Sequence, residues 1–138
     1  MSEKTKFIQS AGKRKKAIAR AVLKYPAKGQ IKINNIPLSL FEPEIARYRI
    51  QEVIEVAKHP KLEKCDINVS VISGGIMGQA DACRIAIAKA INKFIGTKAI
   101  ERVFRDYDST LLSGDSRRTE PKKFGGRKAR KRRQKSFR

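Results

Sequence analysis

Hydrophobic and polar residues alternate most regularly between residues 65 and 73. Cys65, Ile67, Val69 and Val71 are apolar, and the residues between them are polar. Since successive side chains of a β-strand point to opposite faces, this stretch is predicted to be a strand in a sheet that is covered on one side only. The polar side of that sheet remains free for another contact.

The beginning of the chain carries a similar but less decisive pattern. Residues 7–11 fit a short strand. Residues 17–25 fit either a helix, because they are rich in alanine, or a strand, because they also alternate. The following segment decides between the two, since residues 26–29 have the composition of a turn and residues 30–34 alternate cleanly. We therefore predict a strand, a turn and a strand.

The middle of the chain changes to helical spacing. A first helix is predicted from Pro43 to His59-Pro60, since the residue before a proline is driven out of the helical conformation. A second is predicted over residues 79–95, with Gly96 as its stop, and a third follows from Thr97 as its N-cap. The side chains expected in the core from the last two helices are Ala80, Cys83, Ile87, Ala90, Ile91 and Phe94, then Ile100, Val103, Phe104 and Tyr107.

This arrangement of strands and helices indicates an α+β layer. We predict a small sheet of about four strands with helices packed on one face. Leu111 and Leu112 are the last hydrophobic pair before the sequence becomes basic. Residues 1–112 are therefore assigned to one globular domain, and residues 113–138 to a long, extended, basic C-terminal arm.

Charge is the feature that points to a partner. The sequence has 33 Lys and Arg against 13 Asp and Glu, a formal net charge of +20 and a pI near 10.5. Residues 121–138 hold ten of those basic residues and no acidic residue. With so few apolar side chains, this segment is predicted to be disordered in isolation. Because phosphates neutralised by Lys and Arg release counterions, a nucleic acid is favoured over a simple solubility tail.

Lipid headgroups are the other anionic candidate. No apolar run approaches the roughly 18 residues of a spanning helix. The N-terminus also lacks the continuous apolar stretch of a signal peptide. We therefore expect a cytoplasmic protein without a membrane partner.

A basic cluster within the domain is a second candidate for phosphate binding. Lys13, Arg14, Lys15 and Lys16 stand at the mouth of the expected hairpin, and Arg20 continues the positive charge along one strand face. Surface lysines are common in soluble proteins. Four consecutive cations nevertheless favour phosphate contact.

A glycine cluster provides a third candidate. Gly74, Gly75 and Gly78 lie between a predicted strand and a predicted helix, where helix amides can meet a phosphate. The glycine signatures of P-loop and dinucleotide-binding proteins are absent, since Gln79 follows Gly78. A structural turn and an RNA-phosphate contact both remain open. Arg84, one turn into the helix, would extend such an anion site.

Catalytic and metal chemistry find little support. Cys65 and Cys83 lack CxxC spacing and companion histidines, and both lie on predicted apolar faces, so they are interpreted as free, packed thiols. His59, the one histidine of the sequence, stands at a helix end, where a cap or solvent position is the better interpretation. No nucleophile motif occurs. We predict a protein that is not an enzyme and has no metal site and no cofactor.

An ordered series of motifs makes the partner more specific. From about Ile8 to its last residue, the sequence resembles the ninth protein of the small ribosomal subunit, in its archaeal and eukaryotic type. The matching motifs are Gly12-Lys13-Arg14-Lys15, Ala17-Ile18-Ala19-Arg20, residues 29–34, residues 74–80 with Arg84, Asp115-Ser116-Arg117, Glu120, Lys122-Lys123, Gly125, Lys128-Ala129-Arg130 and Arg138.

That resemblance implies a ribosomal-protein fold with a left-handed βαβ crossover. It also implies a body bound to ribosomal RNA in the head of the small subunit, among neighbouring ribosomal proteins, and an arm whose end meets the transfer RNA in the peptidyl site. Charge and resemblance together assign ribosomal RNA contacts to Lys13, Arg14, Lys15, Lys16, Arg20, Gly74, Gly75, Gly78, Gln79, Arg84, Arg117, Arg118, Lys122, Lys123, Arg127, Lys128, Arg130, Lys131 and Arg132. Transfer RNA contacts are assigned to Arg133, Lys135, Ser136 and Arg138.

The end of the chain departs from the bacterial pattern of aromatic residue, serine, lysine and arginine. Lys135-Ser136-Phe137-Arg138 exchanges the lysine and the aromatic residue, so the identity of the cation that accompanies Arg138 stays open.

Two other functions are consistent with parts of the sequence. An RNA-processing accessory protein would accompany a different RNA, and a small nucleotide-binding transferase would bind ATP through its glycine turn.

Overall fold

The computed structural model describes residues 5–137. Within that range the chain forms a five-stranded mixed sheet and four α-helices. The strands are Lys6–Arg14 (β1), Ala17–Tyr25 (β2), Ile31–Ile33 (β3), Ile36–Pro37 (β4) and Asp66–Ile72 (β5). The helices are Glu44–Ala57 (α1), Ile76–Ile95 (α2), Lys98–Tyr107 (α3) and Thr110–Ser113 (α4), with short 3₁₀ turns at Leu38–Leu40 and Pro60–Lys64. The α+β class is confirmed, and the strand beyond the expected four is the two-residue β4.

The strands are arranged in the order β1-β2-β5-β3-β4. β1, β2 and β5 are antiparallel neighbours, whereas β3 runs parallel to β5. Because α1 lies between β3 and β5 in the chain, these three elements form the βαβ unit of the fold. The strands predicted on either side of the turn at residues 26–29 are both present, but β5 lies between them, so they do not pair.

The core is built around α2, which lies between one face of the sheet and α1. The side chains of Ala17, Ala19, Ala21 and Leu23 are fully buried on β2, and the residues between them are partly or fully exposed. α2 packs across β1, β2 and β5. Small residues on β2 allow the helix to lie close to the sheet. The alternation read from the sequence is therefore confirmed, including the prediction that one sheet face is left uncovered.

β1 lies directly against α2 at Gly12 and Ser10. A side chain at Gly12 would collide with backbone atoms of Ala82 and Ala86. Two residues earlier, the buried hydroxyl of Ser10 donates a hydrogen bond of 2.6 Å to the carbonyl of Ala86. These contacts fix the far end of β1, and hence the turn that follows it, against the first half of α2.

Several predicted helix details change. α2 begins at Ile76, three residues before the predicted start, and ends as predicted at Gly96, whose φ is 65°. In α3, Ile100 and Phe104 are buried as expected, but Val103 and Tyr107 are 43% and 49% exposed, because α3 presents only one narrow stripe to the rest of the body. Thr97 occupies the N-cap position of α3 without a side-chain cap hydrogen bond.

The C-terminal arm is not wholly irregular. Gly126 and Arg132 form an isolated antiparallel bridge. The amide of Arg127 donates to the carbonyl of Lys131 at 3.1 Å, and the amide of Arg133 donates to the carbonyl of Gly125 at 3.4 Å. A pair of such short strands is only marginally stable in water, so this small hairpin opens at low cost.

Candidate nucleic-acid interface

Two turns that lie about sixty positions apart in the sequence meet in the fold: the basic turn, Lys15-Lys16, and the glycine turn, residues 73–75. Lys15 and Lys16 connect β1 to β2, and the glycine turn connects β5 to α2. Since Ile18 near the start of β2 pairs with Ile72 at the end of β5, the two turns lie at the same end of these neighbouring strands. We call the concave surface between them the turn surface; it is lined by Arg14, Lys15, Lys16, Gly74, Gly75, Ile76, Met77, Gly78, Asp81 and Thr119.

The glycines allow this close meeting. Gly74 has a φ of +76°, which is strained for any other residue, and a side chain there would press on Ala17 at the start of β2. Gly75 is the N-cap of α2 and has no side chain to accept hydrogen bonds from the first helical amides. A helix N-terminus carries partial positive charge, so uncapped amides beside two lysines suit a phosphate group.

Gln79 stabilises the glycine turn from within. Its side-chain amide donates a hydrogen bond of 3.2 Å to the carbonyl of Ser73, at the end of β5. Gln79 therefore lies beside the turn surface, and its side chain holds the glycine turn closed.

Two of the predicted cations are held by carboxylates instead of facing outward. Arg14 lies 3.0 Å from Asp115 and 3.7 Å from Asp81, with 14% of its side chain exposed. Arg84, which is equally buried, lies 3.3 Å from Glu52 and 3.2 Å from Asp108. Both guanidinium groups therefore tie elements of the body together in the structure, and neither has its charge free for a phosphate.

These pairs belong to a wider network of ion pairs. Asp81 on α2 also forms an ion pair with Arg49 of α1, with 2.6 Å between Asp81 Oδ1 and Arg49 Nη1. Asp115, just after α4, also receives Arg117 at 2.7 Å, and only 8% of the Asp115 side chain is exposed. Hydrogen bonds from Arg117, together with the nearby Arg14, hold the pKa of Asp115 well below its ordinary value. The network thus connects β1, α1 and α2 to the root of the arm.

Arg20 lies away from the turn surface, on the face of the sheet that the helices leave open. It is exposed, and it makes no ion pair with any residue in the range 5–137. Lys13, Lys15 and Lys16 are likewise exposed and without ion pairs in the described part of the chain. The structure therefore divides the predicted body cations into a free set and a paired set.

The basic residues of the arm are all exposed from Arg117 to Lys135. Within that segment Glu120 pairs with Lys123 at 3.1 Å and with Arg130 at 2.9 Å. Hydrogen bonds from Arg130 and Lys123 lower the pKa of Glu120, so this carboxylate stays charged and holds the two cations. Arg118 donates to the carbonyls of Asp115 and Arg117. The cations of the arm that make no ion pair with any described residue are Arg118, Lys122, Arg127, Lys128, Lys131, Arg132, Arg133 and Lys135.

The transfer RNA assignments fall at the very end of the chain. Arg133 and Lys135 are exposed there. The carbonyl of Ser136 accepts a hydrogen bond of 2.9 Å from the side chain of Gln134. Arg138 lies outside the described residues.

The remaining candidates for chemistry have structural places. Cys65 and Cys83 are buried, free thiols, and burial raises their pKa values to about 11 and about 12. His59 caps the 3₁₀ turn after α1, where its Nδ1 accepts from the amide of Lys61 at 3.3 Å. No group of three or more His, Cys, Asp or Glu within residues 5–137 is placed to hold a metal ion. In the same range, no helix combines the length and the apolar character needed to cross a bilayer.

Sequence reasoning missed the acidic partners. Asp81 and Asp115 decide which cations are free, yet nothing local to either residue indicates that it meets Arg14. The proximity of Asp115 to Arg117 was the available signal, since carboxylates that close to basic residues commonly pair with them. The exposure of Phe7 on the open face is not indicated by the short strand predicted over residues 7–11.

Comparison with known sequences identifies the family. A sequence model described as ribosomal protein S9/S16 matches residues 12–138. A protein of Methanothrix thermoacetophila is 46% identical over 133 residues, which cover 96% of this chain and 99% of the relative. A protein of Saccharolobus solfataricus is 43% identical over 138 residues and the full length of both chains. A protein of Desulfurococcus amylolyticus is 44% identical over 142 residues, 100% of this chain and 97% of the relative.

All three relatives are named small ribosomal subunit protein uS9, and all are archaeal, in agreement with the predicted type. Their names describe ribosomal proteins and not enzymes, as the sequence led us to expect. The basic turn, the glycine turn and the whole arm lie inside the matched region. The chain belongs to the ribosomal protein S9/S16 family.

Proposed function

We propose that the chain, a structural constituent of the small ribosomal subunit, binds ribosomal RNA in the head of that subunit through its folded body. Its C-terminal arm then extends to the transfer RNA in the peptidyl site. Both contacts serve translation in the cytoplasm, and neither involves catalysis. Neighbouring small-subunit proteins are the expected protein partners.

The observation that carries the body's role is the turn surface. Lys15 and Lys16, which make no ion pair among residues 5–137, stand beside the uncapped N-terminus of α2, and Gly75 leaves open space there for a phosphate group. Backbone amides and lysines at a helix N-terminus recognise phosphate by charge and geometry, without reading base sequence. This combination favours an RNA backbone over a nucleotide, because the P-loop signature is missing.

The arm's role is supported by its charge and its reach. Ten Lys and Arg and no acidic residue occur in residues 121–138. A fully extended segment of that length spans on the order of 60 Å, more than the radius of the body. The hairpin near Gly126 shortens the free arm, and we expect RNA contacts to open it, since only a few hydrogen bonds hold it closed.

A binding experiment tests the body's role. The chain carrying Lys15→Gln and Lys16→Gln is compared with the chain carrying Lys61→Gln and Lys98→Gln, two exposed lysines far from the turns in sequence. Both variants lose the same charge. For binding to small-subunit ribosomal RNA, the slope of the logarithm of the binding constant against the logarithm of the salt concentration measures the number of phosphate contacts. The first pair of substitutions should make this slope shallower by about one to two, and the second pair by much less. Equal slopes would contradict the turn surface as a phosphate site.

A truncation tests the arm's role. Removal of residues 134–138 should leave assembly into small subunits unchanged and weaken the binding of transfer RNA in the peptidyl site. A variant in which the same five residues stand in reverse order keeps the charge and serves as the control. If truncated subunits bind transfer RNA as tightly as intact ones, the arm does not have this role.

A further inference from the structure

The open face of the sheet has the composition of an interaction surface. It consists of the side chains of β1, β2, β3 and β5 that point away from α2. Phe7 and Ile72 on this face are 63% and 51% exposed. The register places Lys24 opposite both Phe7 and Asp66, and Arg20 opposite both Ala11 and Ser70.

The charge on this face is strongly positive. Lys13, Arg20, Lys24 and Lys32 lie on it, and none makes an ion pair within the described residues. Its one carboxylate, Asp66, is engaged by the chain itself: its Oδ1 accepts hydrogen bonds from the amides of Lys28 and Gln30 at 3.1 and 2.9 Å. Among residues 5–137, the cations of the face therefore have no carboxylate partner, whereas Arg14 and Arg84 each have two.

One aromatic ring is available among these cations. The Nζ of Lys24 lies 5.9 Å from the centre of the Phe7 ring, so one ring face has a cation and the side chain remains exposed. Next to this pair, Gln9, Val22 and Asn68 form one cross-strand row, which adds two side-chain amides that can donate and accept hydrogen bonds. Aromatic rings that stack on bases, cations that meet phosphates and amides that meet base edges are the elements of single-strand recognition.

We propose that the open sheet face is a second RNA-binding surface and that it takes unpaired RNA, with a base stacked on Phe7 and the backbone following Arg20, Lys24 and Lys32. The inference rests on the proposed function, since it adds a surface to the same RNA-bound body. A duplex presents its bases only at their edges, so stacking on Phe7 requires a strand whose bases are unpaired. A protein partner would need a complementary acidic surface, whereas RNA supplies the negative charge throughout.

The test uses the full-length chain and two RNA probes. One is an unpaired oligonucleotide of about twelve nucleotides, a length within the site sizes of single-strand binding modules. The other is an RNA duplex of the same length. The sheet variant carries Arg20→Gln, Lys24→Gln and Lys32→Gln. The matched control carries Lys61→Gln, Lys98→Gln and Arg102→Gln, three exposed residues outside the sheet. For the unpaired probe, the slope of the logarithm of the binding constant against the logarithm of the salt concentration should be shallower by about two in the sheet variant than in the control.

A second measurement isolates the stacking. Phe7→Ala should weaken binding of the unpaired probe by about 5- to 100-fold and leave binding of the duplex nearly unchanged. Tyr48→Ala, an exposed aromatic of α1, is the control and should leave both unchanged. Thermal unfolding of each variant verifies that the body stays folded, and Phe7→Leu, which keeps the apolar packing without the ring, should behave like Phe7→Ala.

The outcomes separate the two proposals. If the unaltered chain binds RNA with little salt dependence, the proposed function fails. If binding is salt-dependent but the sheet variant matches its control and Phe7→Ala has no effect, only the sheet-face inference is overturned. A photo-crosslinker at position 7 in assembled small subunits gives a further decision: crosslinks to RNA support the inference, and crosslinks to protein alone overturn it.

Discussion

The contact between β1 and α2 gives the sharpest test of the fold, because at Gly12 one methyl group is enough to disturb it. In a Gly12→Ala variant the new Cβ would collide with the carbonyl oxygen of Ala82 and lie 2.6 Å from the amide nitrogen of Ala86. Both atoms belong to the backbone, so neither can move aside by a rotamer change. The helix or the strand must shift.

Overpacking of this kind costs about 1–3 kcal/mol of folding free energy. For a body of this size, that loss lowers the melting temperature by roughly 3–15 °C. Urea or thermal unfolding followed by circular dichroism measures it directly. Gly75→Ala is the matched control, because Gly75 has a φ of −90° and the added Cβ would meet no atom within 4 Å beyond the neighbouring residues. The preference of the N-cap position for Gly over Ala and the lower unfolded-state entropy of Ala oppose each other, so stability should change by less than about 0.5 kcal/mol.

The two variants together carry the decision. If Gly12→Ala is as stable as the unaltered chain while both remain folded, β1 does not lie directly on α2. The turn surface would then lose the support that brings Lys15 to the start of α2.

Three further predictions address the core and the ion-pair network. Ser10→Ala should lower the free energy of unfolding by about 0.5–1.5 kcal/mol, since the hydroxyl loses its 2.6 Å bond to Ala86, and denaturant titration measures the change. At Asp108, burial opposes ionisation, but hydrogen bonds from Thr110 and the charge of Arg84 outweigh it, so the pKa is lowered and the carboxylate stabilises the fold above about pH 4. Stability should therefore fall as the pH drops below that value, and Asp108→Asn should make unfolding midpoints at pH 7 and pH 3 more alike; an unchanged difference would contradict the assignment. Because burial raises the pKa of the Cys83 thiol to about 12, it should resist alkylation at neutral pH in the folded chain and react after denaturation, as mass spectrometry will show.

The alternation of residues 65–73 was sufficient to predict β5 and the uncovered face of the sheet. Local periodicity carries that information, since it reports which side chains face the core. It does not report strand order, so the insertion of β5 between β2 and β3 could not be read from it. The start of α2 was misjudged because Gly78 suggested a loop, whereas the helix begins before it at Ile76.

The candidate site was predictable in its residue types but not in their orientation. The clusters at Lys15 and Gly74 were identified separately, and only the register between β2 and β5 brings them together. Arg84 has the sequence position of an anion ligand, but Glu52 on α1 and Asp108 after α3 turn it inward. A single sequence shows a charge without the partner that neutralises it, and this is why the free and paired cations could not be distinguished in advance.

The most direct test of the two-contact account is crosslinking from two positions in assembled small subunits that hold transfer RNA in the peptidyl site. One photo-crosslinker replaces Lys16 on the turn surface, and the other replaces Lys135 near the end of the arm. Position 16 is expected to crosslink to ribosomal RNA, and position 135 to transfer RNA. Crosslinks from position 135 to no RNA at all, or from both positions to the same stretch of ribosomal RNA, would contradict the two-contact account.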